Sequence, residues 1–276
     1  MNTPLPPETI ALIAGDKGAA LGDVSGAIAG WYAAGDEGAL AKRVSADLGR
    51  FTGANSIVVL EFRTDLQPRM IFAKGRSTTH DLGGYITGFY AVDPFYDLFA
   101  VQRSFGVFHV NLEGRDEFDL NEVYRRHISR SVGRDEIGIL LDMGQGQCIH
   151  ISLLLSLESD DQVRGAMDFC KAVLVPLTEA FRQKVAGPKD EPADPRREVH
   201  RIVTRAIEGF GADILTPREQ EVATLLLKGH SAKSMARMLD IAPGTAALHR
   251  ANVYRKLGIN GQGDLFAAFL SQLMGT

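Results

Sequence analysis

The chain has 276 residues, of which 45% are hydrophobic, and its formal net charge is −4. This length favours two domains, and no run of about eighteen uncharged apolar residues occurs that would span a membrane. The N-terminal sequence MNTPLPPETI lacks the layout of a signal peptide, and Cys148 and Cys170 have no CxxC or metal-ligand spacing. We therefore expect a soluble, cytoplasmic protein with two buried free cysteines and no metal, cofactor or membrane partner.

The first third of the chain alternates helical and strand patterns. Residues 36–51 place apolar side chains at helical spacing, which predicts an amphipathic helix. Ser56–Phe62, with the sequence SIVVLEF, is an apolar, β-branched run that predicts a strand, and PRMIFAKG predicts a second one.

An aromatic segment follows at residues 85–99, with the sequence YITGFYAVDPFYDLF. Aromatic walls with a few polar groups are typical of small-ligand sites, so the segment is a candidate effector pocket. The alternative is that the rings only fill the core and that Asp93 caps a helix beginning at Pro94. The candidate effector-binding residues are Tyr85, Phe89, Tyr90, Asp93, Phe95, Tyr96 and Phe99.

The apolar runs EIGILLDMG and QCIHISLLLS flank Gln145-Gly146, which predicts a hairpin. Residues 160–185 then have helical periodicity, with a kink expected at Pro176. Helices on a mainly antiparallel sheet define an α+β sensory domain, of the kind that GAF and PAS folds exemplify. We place it at residues 1–187.

The stretch from Gly187 to Glu198 has three prolines and seven charges without apolar periodicity, which is linker composition. Residues 188–213 are thus predicted to be a linker and connecting helix. In the segment 199–210, Ile202, Val203, Ala206 and Ile207 are expected to share one side. This segment and the helix at residues 160–185 are candidate dimer or relay surfaces, and the alternative is that both are core helices.

Residues 214–276 read as an all-α domain that carries seven Lys and Arg against four acidic residues, while the rest of the chain is acidic. Thr216, Pro217 and Glu219 form a capping box with proline at the first helical position, and Gly229 is expected to end that helix. Ser231 caps a second short helix, and a third is expected from Thr245 to Leu257. Two short helices joined by a tight turn are typical of a helix-turn-helix unit.

The motifs LTPREQEV, GHSAKSMARMLDI and T-x-x-x-HRANVYRKLGI closely resemble the LuxR-type helix-turn-helix domain, a four-helix module of bacterial regulators, over about residues 214–270. The resemblance implies that residues 245–257 lie in the major groove and that the N-terminus of the preceding helix faces phosphate. The candidate DNA-binding residues are Ser231, Lys233, Thr245, Ala247, Leu248, Arg250, Ala251, Asn252 and Arg255.

The recognition segment departs from the family pattern at Ala247 and Ala251, where members often carry lysine. Fewer cationic side chains than usual are therefore available to form hydrogen bonds with base edges. Leu248 is left to contact thymine methyl groups or another protein surface, and Arg250 and Asn252 to reach a base edge or a phosphate.

Three kinds of input domain are weighed. GILLDMGQG resembles the phosphate-acceptor segment of a response-regulator receiver, but the supporting acidic pair and lysine are missing, so Asp142 is interpreted as a hairpin residue. The aromatic segment resembles the centre of autoinducer-binding domains, which implies a ligand hydrogen bond to Asp93. The chain's one tryptophan, Trp31, lies far upstream, which argues against an ordinary acyl-homoserine lactone. The third kind of input is therefore preferred, a divergent GAF-like or autoinducer-like pocket for another small molecule.

The sequence as a whole predicts a quorum-sensing-like transcriptional regulator. We expect a homodimer on an inverted-repeat operator, controlled by a small-molecule effector, with RNA polymerase as a partner if it activates. The alternative is a ligand-independent regulator whose N-terminal domain serves for dimerisation or protein contact. No hydrolase, phosphate-loop or metalloprotease motif is present, so we do not expect an enzyme.

Overall fold

The computed structural model describes residues 21–75, 80–111, 135–156, 159–185, 194–228 and 230–274. The strands are β1 (Ser56–Arg63), β2 (Arg69–Lys74), β3 (Gly106–Asn111), β4 (Asp135–Gly144) and β5 (Gln147–Leu155). The N-terminal helices are α1 (Leu21–Tyr32), α2 (Glu37–Thr52), α3 (His80–Thr87), α4 (Pro94–Ala100), α5 (Asp160–Ala172) and α6 (Leu174–Lys184), with a 3₁₀ turn at Phe89–Val92. The later helices are α7 (Pro195–Glu208), α8 (Pro217–Leu227), α9 (Ala232–Met238), α10 (Pro243–Leu257) and α11 (Gln262–Met274).

The five described strands form one antiparallel sheet in the order β2-β1-β5-β4-β3. The predicted helix at residues 36–51, the first two strands and the hairpin at Gln145-Gly146 are all present. In that hairpin Asp142 accepts a hydrogen bond from the Gly144 amide at 2.8 Å, which is the role expected of a turn residue. The α+β fold class is thus confirmed.

The sheet is buried on both faces, because alternate residues of each strand point to opposite sides. One face carries isoleucines and leucines of β1, β4 and β5 against α1, α2, α5 and α6, where Trp31 is fully buried. The other face carries Phe62, Cys148 and His150 and is covered by the aromatic segment around α4. The candidate effector residues therefore belong to the second face.

The helix predicted at residues 160–185 is in fact two helices. The break lies at Val173, where ψ is 2°. Pro176 has no N–H to donate to the Ala172 carbonyl, so a continuous helix would lose that bond. The interruption thus falls one turn before the proline that causes it.

The connecting helix expected within residues 188–213 is α7, and it begins inside the stretch of linker composition, because Asp194 caps it by accepting a hydrogen bond from the Arg196 amide. Residues 187–193 of the linker and Gly229 lie outside the described part of the chain. Along α7, Val203 and Ile207 are buried, whereas Ile202 is 49% exposed and does not share their side. Helix α7 bonds to the N-terminal domain at its start, through Arg197 and Asp65, and packs into the C-terminal core at its end.

Within the described residues, no helix has the length and apolar character needed to cross a bilayer.

Candidate functional sites

The first helix of the C-terminal domain is fixed by the predicted capping box. Thr216 and Glu219 exchange backbone and side-chain hydrogen bonds, and Pro217 opens α8. The Lys256 ammonium donates to Glu219 at 2.6 Å, which ties the end of α10 to the start of α8. This bond, with the Thr216 backbone N–H, lowers the pKa of Glu219 to about 2. The carboxylate therefore connects the two helices as a permanent anion.

Helices α9 and α10 form the helix-turn-helix pair. Ser231 accepts a hydrogen bond from the Ser234 amide and so caps α9 as predicted. The turn passes through Asp240 in the left-handed region, with φ of 52°. Helix α10 begins at Pro243, two residues before the predicted Thr245, because proline is suited to the first helical position. Its N-cap residue is Ala242, which has no side chain that could cap the helix.

One face of α10 is exposed along its whole length. Thr245, Leu248, Ala251 and Arg255 are exposed, with Leu248 at 61%, and their spacing places them on one side of a helix. Ala246 and Val253 are buried on the opposite side. Between these faces lie the half-buried Ala247, Arg250 and Asn252. Among the described residues, the candidate DNA-binding residues of α10 therefore lie on this exposed face or along its edges.

The cations of the domain divide into two sets. Arg218, Lys228 and Lys256 have carboxylate partners within the protein. Lys233, Arg237, Arg250 and Arg255 all lie on α9 or α10. The positive charge suited to phosphate thus concentrates on the helix-turn-helix pair.

The aromatic segment is densely packed. Tyr90, Phe95 and Phe99 are fully buried, Tyr85 and Tyr96 are nearly so, and Phe89 is half-buried. The ring of Phe95 lies directly on Gly138 of β4, where a Cβ atom would come within 2.2 Å of it. In this conformation Phe95 fills the space that the missing side chain of Gly138 leaves open.

Asp93 caps α4, as the core-filling alternative predicts. One oxygen accepts a hydrogen bond from the Phe95 amide at 2.7 Å, and the other accepts one from the Tyr85 hydroxyl at 2.5 Å. Burial raises the pKa of this carboxyl to about 6, against the opposing effect of the two hydrogen bonds. A ligand nitrogen would reach Asp93 only by displacing Tyr85.

Sequence reasoning missed His150 of β5. Its side chain is 1% exposed and touches the rings of Phe62 and Phe95, with centroids 4.9 Å and 5.0 Å away. Neither ring nitrogen has a hydrogen-bond partner among the described residues. The sequence could have indicated this residue, because a histidine within the apolar run QCIHISLLLS is a polar side chain in an otherwise buried strand.

No pattern in the sequence indicated the contacts between α4 and the helix-turn-helix domain. Asp97, on α4, lies 3.8 Å from the Lys228 ammonium and 3.8 Å from Nε2 of His230. Burial lowers the pKa of His230, an effect that Asp97 opposes. Next to α4, the ring of Phe89 packs on that of Phe266 in α11, with centroids 4.9 Å apart.

Comparisons with known proteins agree with this arrangement. Residues 213–268 match the family of bacterial regulatory proteins named the luxR family. An Aeromonas salmonicida protein described as an HTH-type transcriptional regulator in the exeN 3′ region is 27% identical over 163 residues, which cover 56% of this chain and 82% of that protein. The regulatory protein MctR of Rhizobium johnstonii is 47% identical over 49 residues, 18% of this chain and 23% of its own.

The N-terminal domain has a known counterpart in structure. The ligand-binding domain of VqsR from Pseudomonas aeruginosa superposes with a TM-score of 0.50 at 20% identity, covering 60% of this chain and 99% of that one. This likeness defines the fold of the domain. Residues 213–268 therefore form a helix-turn-helix domain that matches the luxR family of bacterial regulatory proteins. The N-terminal domain has the fold of the VqsR ligand-binding domain.

Proposed function

We propose that the protein is a homodimeric transcriptional regulator whose binding to an inverted-repeat operator is controlled by a small-molecule effector in the N-terminal domain. The observation that carries this proposal is the double role of α4. Phe95 and Phe99 face the sheet and the aromatic cluster, whereas Asp97 faces Lys228 and His230 of the helix-turn-helix domain. A molecule that moves α4 necessarily alters the contact with the DNA-binding domain.

The contact around Asp97 is suited to be broken and remade. Among the described residues its Oδ1 has no hydrogen-bond partner, and the Lys228 ammonium and the His230 imidazole both stand at 3.8 Å, beyond hydrogen-bonding distance. A cleft of about 280 Å³ lies beside it, between α4, α7 and α8. An effector acts only through different affinities for two states, and a loosely held contact next to open space supplies a second state at small cost.

The DNA side of the proposal follows from the exposed face of α10. One recognition helix buries too little surface to select a site in a genome, so a dimer would place two of them about 34 Å apart on a symmetric operator. Ser231 and Lys233 at the start of α9, with Arg250 and Arg255, are the proposed phosphate contacts. Leu248 and Asn252 are the proposed base contacts, and RNA polymerase is the further partner if the protein activates.

The first experiment finds the effector. Small metabolites, acyl-homoserine lactones included, are screened for compounds that raise the thermal unfolding midpoint of the full chain. Unfolding is monitored by the fluorescence of Trp31. This buried residue is the only tryptophan and so reports on the N-terminal domain alone. Asp93→Ala is the control, because it removes the helix cap next to the proposed site, and a genuine effector is expected to lose its effect there.

The second experiment tests control of DNA binding. An operator is selected from random duplexes, and its affinity is measured with and without the effector. We expect a change of about 5- to 150-fold, the range of typical allosteric coupling. Asp97→Asn should bind the effector as the wild type does but lose most of that change. If no compound binds and the chain still selects an operator, the ligand-independent alternative is the correct one.

A further inference from the structure

His150 lies where an apolar residue would be more stable. It stands in the middle of β5, opposite Leu60 of β1 and Leu140 of β4, and is buried to 1% exposure. Burial lowers its pKa to about 3, so the ring is neutral at physiological pH. A neutral imidazole carries one N–H donor and one acceptor nitrogen, and leaving a buried donor or acceptor unsatisfied costs about 1–3 kcal/mol. Neither has a partner within the described protein.

The space above this ring, which we call the slot, is filled by a single aromatic side chain. Phe95 occupies it, in contact with both His150 and the bare backbone of Gly138. Phe95 satisfies the shape of the slot but supplies nothing to the two ring nitrogens. A planar ligand that took the place of Phe95 would keep the aromatic contacts and could also bond to His150.

The charges around the slot select against anions. Ser152, two residues beyond His150 on the same face of β5, donates a hydrogen bond to the buried Glu136 at 2.6 Å. The second carboxyl group is that of Asp93, held by Tyr85. Glu136 lies two residues before Gly138 on the same face of β4, and Asp93 is hydrogen-bonded to the amide of Phe95, whose ring lies on Gly138, so both acids belong to this region. An anionic ligand would meet two buried acids here and a histidine that resists protonation. A cationic ligand would be attracted by the two acids, but like any ion it would lose its water on entering a cluster of buried aromatic rings, which costs more than burying a neutral group.

We propose that His150 is the polar recognition point of the effector site, and that the effector is an uncharged aromatic compound that carries a hydrogen-bonding group. It displaces the ring of Phe95 and bonds to the imidazole. This inference rests on the proposed function in so far as the effector binds against α4, and it adds the chemical class of the ligand. Because Phe95 is part of α4, the same displacement moves the helix that contacts the DNA-binding domain.

The test uses three probes of nearly equal shape: benzamide, benzoate and benzamidine, which are neutral, anionic and cationic. Each is titrated into the full-length, ¹⁵N-labelled protein while the ring nitrogens of its seven histidines are followed by NMR. The His150 signals are assigned by their loss in His150→Phe. Fragments of this size bind at about millimolar concentration. We expect benzamide to shift the His150 ring nitrogens and to bind at least about tenfold more tightly than benzoate, which corresponds to about 1.4 kcal/mol.

The variant His150→Phe retains a buried ring and removes both nitrogens. Toluene, a ring without a hydrogen-bonding group, is added as a fourth probe for both proteins. His150→Phe should bind toluene more tightly than benzamide, whereas the wild type should bind benzamide more tightly than toluene. A variant that had merely failed to fold would bind neither probe, and the wild-type titration alone then decides. Tighter binding of benzoate or of benzamidine than of benzamide would overturn the inference, and so would the absence of any shift at His150 with all three probes.

The outcomes also separate this inference from the proposed function. Benzamide bound at His150 without any effect of small molecules on operator affinity would leave the site standing and remove effector control. An effector that regulates DNA binding but is an anion, or leaves the His150 resonances unchanged, would confirm effector control and rule out the site at His150.

Discussion

Replacing Gly138 with alanine should destabilise the N-terminal domain through one identifiable contact. The new Cβ atom would lie 2.2, 2.4 and 2.7 Å from three carbons of the Phe95 ring. Carbon atoms in contact normally stand about 3.5–4.0 Å apart, so the ring would have to retreat by about 1.3 Å. Such overpacking costs about 1–3 kcal/mol, partly offset by the roughly 0.5–1 kcal/mol that alanine gains over glycine in a strand.

The contact is isolated by a double-mutant cycle with Phe95→Leu. A leucine side chain at position 95 lacks the ring carbons that meet the new methyl group, so Gly138→Ala should be neutral or slightly stabilising in that background. The expected coupling between the two positions is about 1–3 kcal/mol, as for other pairs in direct contact. Unfolding in urea, followed by the fluorescence of Trp31 on the other face of the sheet, gives the four free energies.

The control for this cycle is Gly165→Ala on α5, where a Cβ atom would have no neighbour within 4 Å. Alanine there should stabilise the helix by about 1 kcal/mol in both backgrounds. If Gly138→Ala costs the same free energy in the wild type and in the Phe95→Leu background, the ring of Phe95 does not fill the slot above Gly138, and the argument built on that slot fails.

Three further predictions concern charge. Burial raises the pKa of Asp93 from its usual 3.8 to about 6, so its contribution to stability is full below pH 4 and is lost as the pH rises through 6. The unfolding midpoint measured by Trp31 fluorescence should fall over this range in the wild type and much less in Asp93→Asn. An equal fall in both proteins would contradict the assignment. The pKa of Glu219 is instead lowered from 4.5 to about 2, so the stabilisation by its carboxylate is present above pH 4.5 and disappears as the pH approaches 2. Amide hydrogen exchange of α8 should be faster in Glu219→Gln than in the wild type at pH 7. If this difference persists undiminished at pH 2.5, the carboxylate does not stabilise the start of α8 in this way. Arg255→Ala should reduce the salt dependence of operator binding by about one phosphate contact, whereas Arg164→Ala, an exposed arginine of the N-terminal domain, should leave the slope unchanged.

Local signals in the sequence predicted much of the fold. The sequence Thr-Pro-x-Glu at 216–219 specifies the start of α8 through contacts within one turn, and the hairpin at Gln145-Gly146 depends on its own flanking strands. The helix-turn-helix domain was predictable for the same reason, since its motifs are short and closely spaced. The start of α10 was missed by two residues because proline was interpreted as part of the turn rather than as the first helical residue.

The effector region was predictable only in outline. Its aromatic content marked it, but the character of His150 depends on which strands lie beside β5 and bring Phe62 and Phe95 against it. The contact of Asp97 with Lys228 and His230 joins distant parts of the chain, and no local pattern encodes it. Whether Asp93 faces a ligand or caps α4 depends on the position of Tyr85, which sequence spacing does not fix.

The two faces of α4 have a consequence for how ligand preference can be redesigned. A substitution on this helix alters the binding slot and the junction with the DNA-binding domain together, so a new specificity obtained there brings an altered response with it. Gly138, His150 and Ser152 belong to the sheet, in the floor beneath the slot, and none of their described contacts reaches the helix-turn-helix domain. A library confined to these strand positions should change which molecule is detected while the output of the regulator stays as it is.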